Sequence, residues 1–533
     1  MRMGLSLLLV LAGIVQALAL AWPIGELRGQ SYGLLQLVAL VMLAGSVSRS
    51  HSPQHAMWQT VLFSTAWLTA CTWWLYVSMH HYGGMPSVLA AAAILLLSFA
   101  LSWLYGLAIW GYRRAIDPGA PVLAHVVGFG AAWGWAEVLR GTIFTGFPWG
   151  AVGYAHIDSV LSHFAPWLGV YGLSALAAFL AMLIAAPRVS AIQAGRLSRL
   201  CSWALGLALL SMWVGSPSQD HGWTGWHAAQ KETSSSLSVA LLQGNVPQDL
   251  KFGTQANAAL QDYQAALLNE NADLVVTPET ALTFLPEQIS PAYWQPLREL
   301  KDRALLLGLP MRALNPTAEN GVRAYTNSVL GIVPHSAADY RYDKHHLVPF
   351  GEFVPPTFQW FMRWLHIPMG DFAQGPLPQP PFHWKGQRIA VNICFEDLFG
   401  EELAQSFADP GASPTMLLNV SNLAWFGDTV ALDQHLNIAR MRALELGRPM
   451  LRATNTGATA IINAHGQVVQ ALPYETKGVL HAEVRGVEGA NTPYATWASR
   501  WGLWPLVVSL LVLGFWAANM SHRARHGLRR FGS

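Results

Sequence analysis

V-N-I-C-F-E-D, Val391 to Asp397, ends a β-type apolar run that begins at Arg388. A strand whose apolar residues give way to a thiol and two acids carries that thiol to a sheet end, facing a polar cleft. Taken alone, Cys394 reads better as an ordinary buried cysteine. Two further segments weigh against that. L-V-V-T-P-E-T (Leu274 to Thr280) is a strand that ends by presenting Glu279, and Y-D-K-H-H-L-V-P-F-G-E (Tyr342 to Glu352) presents Lys344. A base, an ammonium and a thiol, each at the end of a β-rich stretch, form the set needed for acyl transfer through a thioester.

The chemistry assigns each group a task. A free thiol, with a pKa of ~8.5, is mostly protonated at neutral pH and needs a base within hydrogen-bond reach; Glu279 is the candidate. The attacked carbonyl develops negative charge that preorganised donors must meet. Lys344 is the side-chain candidate and the backbone N–H of Phe395 the second. His345 and His346 are adjacent, so on a strand they point to opposite faces, and no metal is expected. Asn419, Ser421 and Asn422 are expected to shape the cleft beside the nucleophile. Trp425 and Phe426, next to Gly427, read either as an apolar lid over an acyl chain or as local packing. With no phosphate-binding motif, no nucleotide cofactor is expected.

The chain order Glu, Lys, Cys and the three surrounding motifs resemble the carbon–nitrogen hydrolase (nitrilase) superfamily over roughly residues 236–487. F-G-E-F-V-P after the lysine, N-V-S-N-L-A-W-F-G-D (Asn419 to Asp428) and R-M-R-A-L-E-L-G-R-P (Arg440 to Pro449) are similar to the apolipoprotein N-acyltransferase family within it. The resemblance implies an α-β-β-α sandwich, with Glu279 as general base and Glu352 and Glu396 in the active site. It also implies transfer of a fatty acyl chain from a membrane phospholipid to the N-terminal amine of a diacylated apolipoprotein, completing lipoprotein maturation. Two positions depart from the pattern. Phe395 stands where tyrosine is common, and Phe252 where tryptophan commonly follows Q-G-N-x-P-Q-x-x-K. Both keep an apolar ring, suited to packing against lipid.

The rest of the chain is read for agreement. Of 533 residues 52% are hydrophobic and 12% charged, about half the ~25% of charged residues in a soluble domain. A net charge of +2 does not suggest nucleic acid, and three scattered cysteines support neither a disulfide framework nor a metal cluster. Charges are sparse before about residue 220. Apolar runs at 5–24 (read as a retained helix, not a signal peptide), 32–47, 57–79, 88–110, 122–139, 164–186, 200–215 and 501–518 predict about eight membrane helices.

With the N-terminus cytoplasmic, the inside segments carry Arg2, Arg49, Arg113, Arg114, Arg188, Arg196, Arg199 and four arginines of the tail; the opposite short loops carry little beyond Arg28 and Arg140. That bias puts the cysteine-bearing domain outside; the resemblance implies that outside is the periplasm of a bacterial inner-membrane protein. The expected organisation is 1–215 membrane domain, 216–236 linker, 237–487 catalytic α/β domain, 497–519 last span and 520–533 basic tail. Trp133 to Tyr154 reads as an interfacial aromatic belt or, with Phe147 and Trp149, as a floor contacting lipid. Glu137 and Arg140, three apart on a helix, are expected to pair, because unpaired charge at membrane depth is expensive. The competing function is a membrane-tethered amidase using the same triad with water as second nucleophile.

Overall fold

The computed structural model describes residues 3–185, 229–248, 251, 256–314, 317–318, 321–322, 325–354 and 372–530. The expected seventh span at 200–215, Cys201 and Phe252 lie outside these residues. The chain divides into two compact units. One holds the N-terminal helices and the C-terminal helix; the other runs from the first described strand to Arg500 and takes in Val77–Gly84.

The helical unit comprises α1 (Met3–Leu18), α2 (Gly33–Ser48), α3 (Pro53–Cys71), α4 (Ser87–Ala115), α5 (Val122–Thr142), α6 (Ala165–Ala185) and a C-terminal helix, Trp504–Arg530. Among the described residues four helical segments are long and apolar enough to cross a membrane: Ser87–Ala115, Val122–Thr145, Val160–Ala185 and Trp504–Arg525. The expected count of eight is therefore not reached by these criteria. α1, at 16 residues, spans about 24 Å at 1.5 Å per residue, short of a ~30 Å hydrocarbon core. The run at 57–79 is not one helix. α3 ends at Cys71, and a separate π-helical turn follows at Val77–Tyr82. The C-terminal helix instead runs on through the segment that composition marked as a basic tail.

Glu137 and Arg140 pair as expected, at 3.0 Å with both side chains fully buried. Arg140 also donates to the Tyr105 hydroxyl and to the carbonyls of Phe147 and Trp149. The Trp149 ring is enclosed against Trp74, 4.6 Å between centroids, while Phe147 is half-buried.

The second unit is built on two six-stranded mixed sheets. The first contains β1 (Gln230–Gln243), β2 (Leu274–Val276), β3 (Ala304–Arg312), β4 (Tyr325–Ile332) and β5 (Tyr340–Asp343), with β12 (Gly478–Gly489) beside β1. The second contains β7 (Gln387–Ile393), β8 (Met416–Ser421), β9 (Met450–Thr454), β10 (Ala460–Ile462) and β11 (Val468–Ala471), with β6 (Phe382–Trp384) beside β7. Each sheet runs its first three strands parallel and its next two antiparallel.

Alternation explains the layering. Leu237, Val239 and Leu241 of β1 share one core with Ile389, Val391 and Ile393 of β7. The opposite face of the first sheet packs on the helix Ala256–Asn269, and that of the second on the helix Val430–Leu446. The result is the α-β-β-α sandwich. Gly447, in the left-handed region at φ 63°, closes the second helix. The polar segment 231–236, expected as linker, is instead edge-side strand: Gln230 to Glu232 pair with Gly489 to Val487 before a bulge. A strand exposed on one side reads as polar and hides its pairing.

Gly308 of β3 admits the turn that carries Glu279. A Cβ built there would stand 2.1 Å from the Pro278 carbonyl oxygen and 2.9 Å from the Glu279 Cα. Gly308→Ala is expected to destabilise the protein by about 1–3 kcal/mol through overpacking. A thermal melt of the detergent-solubilised variant that coincides with wild type would contradict this.

Candidate active site

β2 ends at Val276, and the turn after it delivers Glu279, which is 7% exposed. Thr277 anchors the turn by accepting from the Gly308 N–H at 3.0 Å and donating its own N–H to the Leu306 carbonyl. One Glu279 oxygen accepts from Asn327 Nδ2 at 2.7 Å and from Lys344 Nζ at 3.3 Å; the other accepts from the Asn422 N–H at 2.8 Å. Lys344 follows β5, is 1% exposed, and meets Glu352 at 2.9 Å as well. Asn327 Nδ2 also donates to that same Glu352 oxygen at 2.8 Å. Burial works against the Lys344 ammonium, but Glu352 and then Glu279 outweigh it and hold its pKa above the ordinary lysine value. Two acceptors leave one of its three N–H bonds for another oxygen.

Cys394 ends β7 in the left-handed region, φ 53°, a conformation that costs an L-residue about 1–2 kcal/mol. Its neighbours hold it there. Glu396 accepts from the Ile393 N–H at 2.6 Å, and Asn419 Nδ2 donates to the Cys394 carbonyl at 3.2 Å. Ser421 hydrogen-bonds Asn419, fixing the amide from behind. Burial, and next the Glu279 carboxylate, push the Cys394 thiol up; Lys344 and the Asn422 N–H pull the other way. The residue as a whole is half-buried, and the thiol stays protonated until a base takes its proton.

Glu396 does more than hold the cysteine turn. It also accepts from the N–H groups of His345, at 2.7 Å, and His346, at 3.2 Å, and from the Tyr342 hydroxyl at 2.9 Å. One carboxylate thus ties the turn of Cys394 to the residues just after Lys344. Burial raises its pKa to about 7, against the pull of the Ile393 N–H. Glu352 contacts the Lys344 ammonium directly; Glu396 acts on the backbone instead. Phe395 is buried against Phe399, and His346 stacks on Phe399 with Nδ1 turned to Glu402 at 3.0 Å. His345 Nδ1 is within 2.8 Å of the Gly375 carbonyl, so the two imidazoles diverge.

Trp425, 40% exposed, lies edge-on to Tyr82 at 5.8 Å on the short helical turn Ala424–Phe426. Beneath the cysteine turn, fully buried Arg452 joins Asp397, at 3.1 Å, to Asn419 and His435. Asn327, Tyr342 and Arg452 escaped the sequence reading. Asn327 and Arg452 sit inside largely apolar strands, and a polar residue there was the available signal, since such residues are seldom buried without a partner; Tyr342 lies in the polar strand Y-R-Y-D and gave no such signal.

A buried Glu–Lys–Glu cluster beside a strained cysteine, set on the ends of two facing mixed sheets, defines a carbon–nitrogen hydrolase domain, here joined to apolar helices. Residues 238–494 match the family described as Carbon-nitrogen hydrolase, and residues 8–183 the Apolipoprotein N-acyltransferase N-terminal domain. The chain is 45% identical to an apolipoprotein N-acyltransferase of Verminephrobacter eiseniae, covering 97% of each. It is 45% identical to that of Ralstonia nicotianae over 86% of this chain and 85% of the relative, and 36% identical to that of Pseudomonas putida over 96% of each. A solved carbon–nitrogen hydrolase of Helicobacter pylori aligns over 47% of this chain and 89% of its own, at 16% identity and a TM-score of 0.33. The chain belongs to the apolipoprotein N-acyltransferase family and is an acyltransferase enzyme.

The Glu396 contacts carry a consequence. In Glu396→Gln one acceptor oxygen becomes a donor facing N–H groups, leaving buried donors unmatched at a cost of about 1–3 kcal/mol. The variant is expected to melt at a lower temperature and lose at least about tenfold in acylation rate, one decade being ~1.4 kcal/mol of barrier. Wild-type values for both would contradict the role of this carboxylate.

Proposed function

We propose that the chain transfers a fatty acyl group from a membrane phospholipid to the α-amine of the diacylglyceryl-cysteine that begins an apolipoprotein, through a thioester on Cys394. The observation that carries the reading is the Lys344 ammonium between Glu279 and Glu352, with Glu279 at the same time held by the Asn422 N–H. Glu279 takes the Cys394 proton as the sulfur attacks the ester carbonyl. The remaining Lys344 N–H and the Phe395 amide meet the oxyanion. Glu279 returns the proton to the departing lysophospholipid oxygen. The acceptor amine then attacks the thioester, Glu279 removes its proton, and the thiol is regenerated as the amide forms. Ester to amide through a thioester needs no nucleotide.

The membrane part supports this assignment, because both substrates are held in a bilayer by their acyl chains and confinement orients them. We assign about eight spans, counting the shorter apolar helices and the run at 200–215, with the N-terminus cytoplasmic. The arginine distribution then puts the catalytic domain on the periplasmic side of the inner membrane. Residues 1–215 form the membrane part. The catalytic domain extends beyond 237–487 to take in the strand pairing at 230–232 and 487–489. Among the aromatic residues assigned to acyl chains, half-exposed Trp425 is favoured, with Phe426, Phe147 and Phe252 as secondary contacts; the enclosure of Trp149 favours packing for that ring.

The test is turnover with a labelled phospholipid and a diacylated lipopeptide. Wild type is expected to give N-acylated lipopeptide, and Cys394→Ser to lose at least about a hundredfold, because a hydroxyl is the poorer nucleophile and an ester the poorer acyl donor. Cys394→Ser turnover near wild type contradicts the thioester. Released fatty acid in place of acylated peptide favours a hydrolase.

A further inference from the structure

The assigned machinery leaves a charge unbalanced. Glu279 and Glu352 share one ammonium, that of Lys344, so two buried carboxylates face a single lysine. A second lysine lies beside them. Lys251, 4% exposed, donates from Nζ to the Glu279 backbone carbonyl at 3.1 Å and to the Thr280 hydroxyl at 2.8 Å. Thr280 sits in the left-handed region at φ 45°, a strained conformation for a β-branched residue. The lysine therefore grips the backbone of the base and the side chain of the strained residue that follows it. Lys251 belongs to the Q-G-N-V-P-Q-D-L-K segment, Gln243 to Lys251, whose lysine the reaction as described leaves without a task.

The geometry points to Lys251 as a positioning residue of the active site, whose buried ammonium fastens the Glu279 turn and supplies the second positive charge under which Cys394 loses its proton. The inference rests on the assignment of Glu279 and Cys394 as base and nucleophile. With Lys251 counted, two lysines balance two carboxylates. Moving the proton from sulfur to Glu279 conserves that sum and replaces a carboxylate by a thiolate, which both lysines then face. The groups facing Lys251 are the Glu279 carboxylate, which favours its ammonium form, and the Cys394 sulfur, which adds to that once it is a thiolate. Burial opposes them and wins, lowering the Lys251 pKa to about 8. The second cation is thus present below that pH and lost above it.

The experiment measures the rate of acyl-enzyme formation from a labelled phospholipid against pH in the full-length protein, with thermal melting as a folding control. Wild type is expected to slow as pH rises through about 8. Lys251→Arg, whose guanidinium stays charged throughout, should form the acyl-enzyme without that limb. Lys251→Met should also lack the limb and be at least about tenfold slower below it, one decade being ~1.4 kcal/mol of barrier. A wild-type rate that stays level through pH 8 overturns the inference, whether or not the variants fold. So does an unmoved limb in Lys251→Arg, or a Lys251→Met rate within twofold of wild type. No acyl-enzyme in wild type at any pH overturns the thioester reading itself, and this inference with it.

Discussion

One nitrogen, Lys344 Nζ, buried and shared by Glu279 and Glu352, is the constraint on which the site depends. An ammonium taken out of water is tolerable only when anionic partners are fixed at hydrogen-bond distance. Those partners gain from the same contact: the Glu279 carboxylate, held by a cation, by the Asn327 amide and by the Asn422 N–H, keeps a fixed orientation. Remove the lysine and two carboxylates repel across a dry cleft. Remove either acid and the remaining ion pair loses its bridging geometry.

Two sheets of the same topology make this arrangement possible. Glu279 follows the second of the three parallel strands of one sheet and Cys394 the first of the three parallel strands of the other. Their inward faces form a single core, so the relative height of the two strand ends is set by packing. Glu396 spans from the cysteine turn to the lysine segment, and Asn422 reaches from the second sheet to Glu279. The site is therefore pinned from both halves, consistent with chemistry that requires a thiol, a base and an oxyanion donor to keep register through two successive substrates.

Much of this was legible from residues. The strands at 274–276 and 387–393 end in apolar runs of the kind that buried parallel strands require, and both were expected within a few residues. Two of the elements that escaped share a cause. Tyr340–Asp343 and Val468–Ala471 are short edge strands whose polar or exposed residues carry no two-fold alternation, and 231–236 looks like linker because its partner strand lies about 250 residues away. Likewise Glu137 and Arg140 could be paired from their spacing. The break in the run at 57–79 is invisible to hydropathy. At the site, the three groups to which the reaction is assigned in the proposed function announce themselves by chemistry, whereas Asn327 and Lys251 are recognised only by what they touch.

The central claim is that sulfur carries the acyl chain between two substrates, and it can be weighed directly. Intact mass of the purified protein, taken after incubation with a phospholipid of defined chains and again after adding a diacylated lipopeptide, reads the intermediate itself. The account predicts a mass increase of one fatty acyl group, mapped to Cys394 and discharged by the lipopeptide. A protein that acylates the lipopeptide while carrying no adduct, or carrying one that the peptide does not remove, would contradict it.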